Sequence, residues 1–273
     1  MRDVIVSAIV LMCVALPATV VADTIKIGGT GSSMQLMRAL GDAFHKSRPD
    51  VEVAIVSGLG SRGGKKALLS GVIDIAISAD PPTPAEHEQG AAAIEWARTP
   101  FVFAASANNP LSGLTPQELV DIYRGKTTAW RNGERLRLVL RPSGDSDNTA
   151  LRNMSPAMRE ALNEALSRQG MMVAVTDEDA VDAIQSTPGA LGTTTLGLII
   201  SGRRPVKALS VNGVAPSPKA IADGSYPYFK TIYIITGARP SQAARRFIDF
   251  ARSASGREIL ARMGFSAMDA KGP

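Results

Sequence analysis

Two stretches of this 273-residue chain set glycines and hydroxyls where a strand pattern gives way to a helix pattern. In Gly28-Gly29-Thr30-Gly31-Ser32-Ser33, backbone amides and hydroxyls converge on a helix N-terminus, where the helix dipole favours negative charge. The same residues also fit a tight turn in which Ser32 or Ser33 only caps the helix. Gly58-Leu59-Gly60-Ser61-Arg62-Gly63-Gly64-Lys65-Lys66 repeats the arrangement, now with cations opening the helix. A second anion-facing helix start shifts the balance toward a ligand. Neither loop has the nucleotide-cradling spacing GxxxxGK[ST].

Two charged residues close strand patterns downstream. Asp80, in Ile77-Ser78-Ala79-Asp80-Pro81-Pro82, can accept a hydrogen bond from a ligand that still carries a proton, and would repel a fully ionised one. It also fits a plain proline turn. Arg141 precedes Pro142-Ser143-Gly144-Asp145-Ser146-Asp147-Asn148-Thr149; its guanidinium suits two-pronged binding of a tetrahedral oxyanion. The alternative is an Arg141–Asp145 ion pair, with Asp145, Ser146 or Asp147 capping the helix that follows.

Positioning these groups requires alternating strands and helices. Thr24 to Gly28 reads as a strand, and Met34, Met37, Leu40 and Phe44 then recur at helical spacing. Val51 to Val56, a helix from Lys65, and a strand over Val72 to Ile77 continue the alternation, which predicts an α/β lobe. Phe101 to Ala105 is a further strand, and the turn-rich Ser106 to Pro110 marks a crossing into a second lobe. That lobe carries a helix over Pro116 to Tyr123, a strand over Leu136 to Leu140, one long helix from Asn148 to Arg168 and a short strand near Val173. Thr231 to Thr236 brings the chain back, and Ala244, Phe247, Ile248 and Ala251 stripe the last helix. The expected division is 23–105 with 232–273 as lobe 1 and 106–231 as lobe 2, two crossings acting as a hinge over a ligand cleft.

Bulk properties narrow the function. Residues 1–22 read as a signal peptide: Arg2, an apolar run from Val4, then Val20-Val21-Ala22, with cleavage expected after Ala22. Pro17 interrupts the run short of the roughly 20 residues that a membrane span needs. Cys13 lies inside this segment, so the exported chain has no thiol for disulfides, catalysis or metal. The net charge of +5 suits an anionic partner, and the absence of basic runs interleaved with aromatics argues against nucleic acid. His45 and His87 both sit among charged neighbours, so no general base accompanies the serines and an enzyme is not expected. No cofactor or metal site is legible.

The order of features resembles the periplasmic phosphate-binding proteins of ABC importers, over nearly the whole exported chain. It is carried by Gly29-Thr30-Gly31-Ser32-Ser33, Gly60-Ser61-Arg62-Gly63-Gly64 and Ser78-Ala79-Asp80-Pro81. Leu114-Thr115, Ile122-Tyr123-Arg124-Gly125-Lys126, Trp130, Arg141 and Pro188-Gly189-Ala190-Leu191-Gly192 continue it, as do Gly224-Ser225-Tyr226-Pro227, Phe247, Gly256 and Gly264-Phe265. The resemblance implies a two-lobed periplasmic-binding-protein type II fold, monomeric, that captures a small oxyanion for a membrane ABC permease. A receptor kinase would be an alternative partner for the same cleft. The resemblance places ligand contacts at Ser33, Met34, Ser61, Asp80 and Arg141, and the loops themselves add Ser32, Arg62, Asp145, Ser146 and Asp147 as candidates. One segment departs: the family has Ser-Gly-Thr where this chain has Asp145-Ser146-Asp147. Two carboxylates facing a phosphate would repel it, unless they cap the next helix, are neutralised by Arg62 and Lys65, or meet a more protonated or organophosphorus ligand.

Overall fold

The computed structural model describes residues 23–268, so the expected signal peptide, with Cys13, lies outside the described residues. The chain begins with β1 (Asp23–Gly29), α1 (Met34–Ser47), β2 (Val51–Val56), α2 (Gly60–Leu69) and β3 (Ile75–Ser78). β1 pairs in parallel with both β2 and β3, as strand–helix alternation requires. The third strand is shorter than its apolar run suggested: the backbone of Val72 and Ile73 closes α2, and Val72 is exposed.

β4 (Ala92–Ser106) joins the lobes. Its first part runs antiparallel to β7 (Phe229–Thr236), the last pair being Phe229 with Pro100. From Phe101 onward its partners are β6 (Ala190–Thr195) and Val206–Ala208. The outward crossing therefore lies within a strand, at Pro100–Phe101, ahead of the turn at Ser106 where it was expected. Phe101 and Phe103 pack in the core of the second lobe. The return lies at Tyr228–Phe229, where the Phe101 amide donates to the Tyr228 carbonyl at 3.0 Å. Sheet order is β2-β1-β3-β7-β4-β6-β5, where β5 is Arg137–Leu140 and Met172–Val173 forms the edge beyond it.

The second lobe packs α3 (Pro116–Tyr123), α4 (Ser146–Met154), α5 (Pro156–Ser167) and α6 (Asp177–Ser186) around β5 and β6. The helix expected from Asn148 to Arg168 is two helices. Pro156 has no amide to continue the first, and Ser155 caps the second by accepting from the Met158 amide at 3.0 Å. In the first lobe, α7 (Gln242–Arg252) and α8 (Ala254–Arg262) close the core; Phe247 meets Phe44 edge to face at 5.5 Å.

Candidate functional site

Between the lobes lies a cavity of about 630 Å³ lined by the start of α2, Asp80, Arg141 to Ser146 and the start of α6. Its lobe 1 wall is held by close backbone packing. Gly29 has φ +139°, and a β-carbon there would fall 1.9 Å from the Ile77 carbonyl oxygen, so only glycine lets β1 turn against β3. Thr30 N–H then donates to that carbonyl at 2.8 Å, and a single 3-10 turn, Gly31–Ser33, leads into α1. Gly64 of α2 lies on the same turn: its missing β-carbon would sit 2.7 Å from the Gly29 Cα. Two helix N-termini are thereby brought to one place, which concentrates their dipoles.

The predicted residues of this wall divide. Ser61, Arg62 and Asp80 line the cavity. Ser61 Oγ accepts from the Ala79 amide at 3.0 Å, which leaves the hydroxyl hydrogen free to donate elsewhere. Arg62 reaches across the cleft to Gly144 of the other lobe. Lys65, by contrast, is spent within its own lobe, donating to the Pro81 carbonyl at 3.0 Å and to Glu86 at 2.9 Å. Met34 is fully buried in the lobe 1 core, and Ser32 and Ser33 are buried beneath the cavity surface. Ser33 Oγ has no hydrogen-bond partner among the described residues.

The lobe 2 wall is made of charge. Arg141, just past β5, is almost fully buried; it donates to the Ala174 carbonyl at 3.0 Å, to the Thr176 carbonyl and to Asp145 Oδ2 at 2.8 Å. Its Nε has no partner among the described residues, and Asp177 Oδ1 lies 3.5 Å from its Nη2. Burial disfavours the guanidinium charge, but Asp177, Asp147 and Asp145 outweigh it and raise the arginine pKa. Asp145 both pairs with Arg141 and caps α4, accepting from the Asp147 amide at 2.8 Å. Ion pair and cap, read from sequence as the alternative to a ligand role, coexist with an Arg141 that lines the cavity.

Asp147 does not face the cavity. It is buried, accepts from Thr193 Oγ1 at 2.5 Å and forms an ion pair with Lys230, itself buried. Burial raises a carboxyl pKa, yet Lys230, Arg141 and the Thr193 hydroxyl hold Asp147 below the ordinary aspartate value. The neutralising cations are thus Lys230 and Arg141, in place of Arg62 and Lys65. Lys230 also donates to Ser146 Oγ at 2.9 Å. The Ser146 oxygen being occupied by that donor, its hydrogen is left to point into the cavity that it lines. Asp145 is the opposite case: burial and the neighbouring Asp147 push its pKa up, against Lys230 and Arg141.

Three residues of the site carried no motif. Asp177 and Glu178 open α6 behind Thr176, whose reciprocal cap with Asp179 announces a helix start and nothing more. Lys230 had a usable signal: in β7 it shares the buried face with Ile232 and Ile234, an odd place for a lysine without a partner.

Comparison with known proteins agrees with this architecture. A PBP superfamily domain, PBP_like_2, matches residues 17–255. The phosphate-binding protein PstS of Bacillus subtilis is 27% identical over 84% of this chain and 75% of its own length. A phosphate ABC transporter substrate-binding protein from Clostridium perfringens, solved with bound phosphate, superposes with a TM-score of 0.79 at 23% identity, covering 90% of this chain and all of that one. An ABC-type phosphate transport receptor from Vibrio cholerae gives 0.64 at 21% identity, again over 90% of this chain and all of its own. A two-lobed α/β molecule with its cleft at the lobe junction and a family match across most of its length, the chain belongs to the PBP superfamily.

Proposed function

We propose that the exported chain acts as a monomeric periplasmic solute-binding protein, capturing phosphate or a phosphate-like oxyanion in the interlobe cleft and presenting it to a membrane ABC permease. One observation carries the reading: a buried guanidinium on lobe 2 faces the paired helix starts of lobe 1 across a single cavity. Ser61 and Ser146 supply hydroxyl donors from opposite walls, and the Asp80 carboxylate accepts a hydrogen bond from the ligand's remaining O–H. The phosphate named in the relatives supports the ligand class. The arrangement binds and offers no general base beside a nucleophile, so the proposed role is capture without turnover.

A second ligand is favoured by one feature. The cavity lining sets Arg62, Lys65 and Arg141 against Asp80, Glu86, Asp145, Asp177 and Glu178, so an organophosphorus ligand with a cationic group would be better matched than a bare dianion.

Thermal melting with phosphate, sulfate and an aminoalkylphosphonate tests both. A ligand at about 100 times its dissociation constant should stabilise by about 2.7 kcal/mol. Phosphate is expected to act, and sulfate to act weakly because it has no O–H to donate to Asp80. Arg141→Ala should weaken phosphate binding by about 2–5 kcal/mol. No response to phosphate or the phosphonate, or an unaltered response in the arginine variant, overturns the proposal.

A further inference from the structure

The donors of the site are already satisfied in part by the protein itself. Asp177 Oδ2 accepts from the Ser32 amide at 2.9 Å and from Thr30 Oγ1 at 3.2 Å. Its other oxygen, Oδ1, is 3.5 Å from Arg141 Nη2. One carboxylate from lobe 2 therefore sits on the helix start of lobe 1 while facing the guanidinium of its own lobe. On the oxyanion reading a bridging ligand engages Arg141 and this helix start, the two places that Asp177 holds.

The space for this contact is built in. Gly31 is absent from the glycines with positive φ, so its backbone does not demand glycine. A β-carbon at Gly31, however, would meet Glu178 Oε2 at 2.4 Å and Asp177 Oδ2 at 3.0 Å. A methyl group at this position would press on the two carboxylates and on no backbone atom within 3.1 Å. The fit is also incomplete: among the described residues, Ser33 Oγ beside Ser32, and Arg141 Nε, stay buried without partners. A carboxylate has two oxygens to offer; a tetrahedral oxyanion has more, enough to serve those two donors as well.

We propose that Asp177 is an affinity- and specificity-setting residue, an internal surrogate anion that holds the lobes together and must be displaced by the incoming oxyanion. Resting on the oxyanion reading above, this makes binding an exchange. An anion with only two oxygens gains nothing over Asp177, whereas a tetrahedral one gains the two unpartnered donors. The apparent affinity is lowered by the fraction of molecules in which Asp177 holds the site.

The test uses the exported chain, stripped of phosphate, with Asp177→Ala, Asp177→Asn and Gly31→Ala. By calorimetric titration, Asp177→Ala should bind phosphate about tenfold or more tightly than the wild type, the gain expected when a site mostly held by its competitor is freed. Acetate should compete with phosphate in Asp177→Ala and not in the wild type. X-ray scattering without phosphate should show Asp177→Ala more extended than the wild type, and phosphate should return both to one compact form. Gly31→Ala, which keeps Asp177 but crowds it out, should shift the same way; it and Asp177→Asn serve if the alanine variant fails to fold. Equal or weaker phosphate binding in the variants, with unchanged scattering, overturns the surrogate role. Extended variants that, like the wild type, bind no phosphate would sink the oxyanion reading and leave the latch standing.

Discussion

The two walls of the cleft solve the same problem by opposite means. Lobe 1 brings up helix N-termini and fixed amides, held by glycine contacts such as Gly64 against Gly29. Lobe 2 brings up full charges and then restrains them: Arg141 among Asp145, Asp147 and Asp177, and Asp147 against Lys230, which β7 supplies from just past the return crossing. Backbone dipoles need only correct geometry, because their partial charges are fixed by the fold. Buried side-chain charges need counter-charges, because any one left alone carries a desolvation penalty. Lobe 1 should accordingly be broken by adding a methyl group, and lobe 2 by removing a charge.

The largest effect is expected at Lys230. Lys230→Met keeps the stem and removes the ammonium, leaving Asp147 buried without its closest cation; loss of one partner of such a pair costs about 3–5 kcal/mol. Urea unfolding should show that loss, and the double variant with Asp147→Asn should recover most of it. The acid limb supplies a second readout. Because Asp147 titrates below its ordinary value, its contribution is complete above about pH 4 and is lost as pH falls through the depressed folded-state pKa. The wild type should therefore lose stability in acid more steeply than the double variant. A Lys230→Met protein as stable as the wild type would remove the contrast between the walls.

Next in size is Gly64→Ala. The added carbon would stand 2.7 Å from Gly29 Cα and 3.3 Å from Gly29 N, both backbone atoms that cannot move aside cheaply. Overpacking of this kind costs about 1–3 kcal/mol. It should also splay α2 from the β1 turn and weaken phosphate binding, though no ligand-contacting side chain has changed. Normal affinity in Gly64→Ala would mean that the lobe 1 wall does not depend on the mutual placement of its helix starts.

The same contrast explains what could be read from sequence. The lobe 1 wall is local: each glycine loop lies beside the strand and helix that it joins, so Gly28 to Ser33 and Gly58 to Lys66 announce it. Period-2 and period-3.6 patterns likewise predicted the alternation of elements, and Pro156 alone explains why one expected helix is two. In lobe 2 the partners are remote. Asp147 meets Lys230 and Thr193, and Arg141 meets Asp177 and the Ala174 carbonyl, through pairings that exist only once β5, β6 and β7 lie in one sheet. Asp145-Ser146-Asp147 looked hostile to an anion because its compensating lysine is set by topology. The crossing at Pro100–Phe101 was hidden because one unbroken strand serves both lobes.

The smallest expected effects separate the walls most finely, at two serines in equivalent roles. Each has its oxygen engaged by a protein donor, the Ala79 amide for Ser61 and the Lys230 ammonium for Ser146, so each has one hydrogen left for a ligand. Ser61→Ala deprives the Ala79 amide of its acceptor and should cost about 1 kcal/mol of stability in addition to weakening phosphate binding. In Ser146→Ala, Lys230 keeps Asp147 as its partner, so affinity should fall while the melting temperature without phosphate stays near that of the wild type. Comparing melting with phosphate titration for the two variants reads this directly: lobe 1 spends the same hydroxyl on its own backbone and on the ligand, whereas the lobe 2 serine accepts from a lysine of β7 that keeps Asp147 as its partner, which makes the serine dispensable to the fold. Equal stability losses in both variants would show that Lys230 depends on Ser146 as much as Ala79 depends on Ser61.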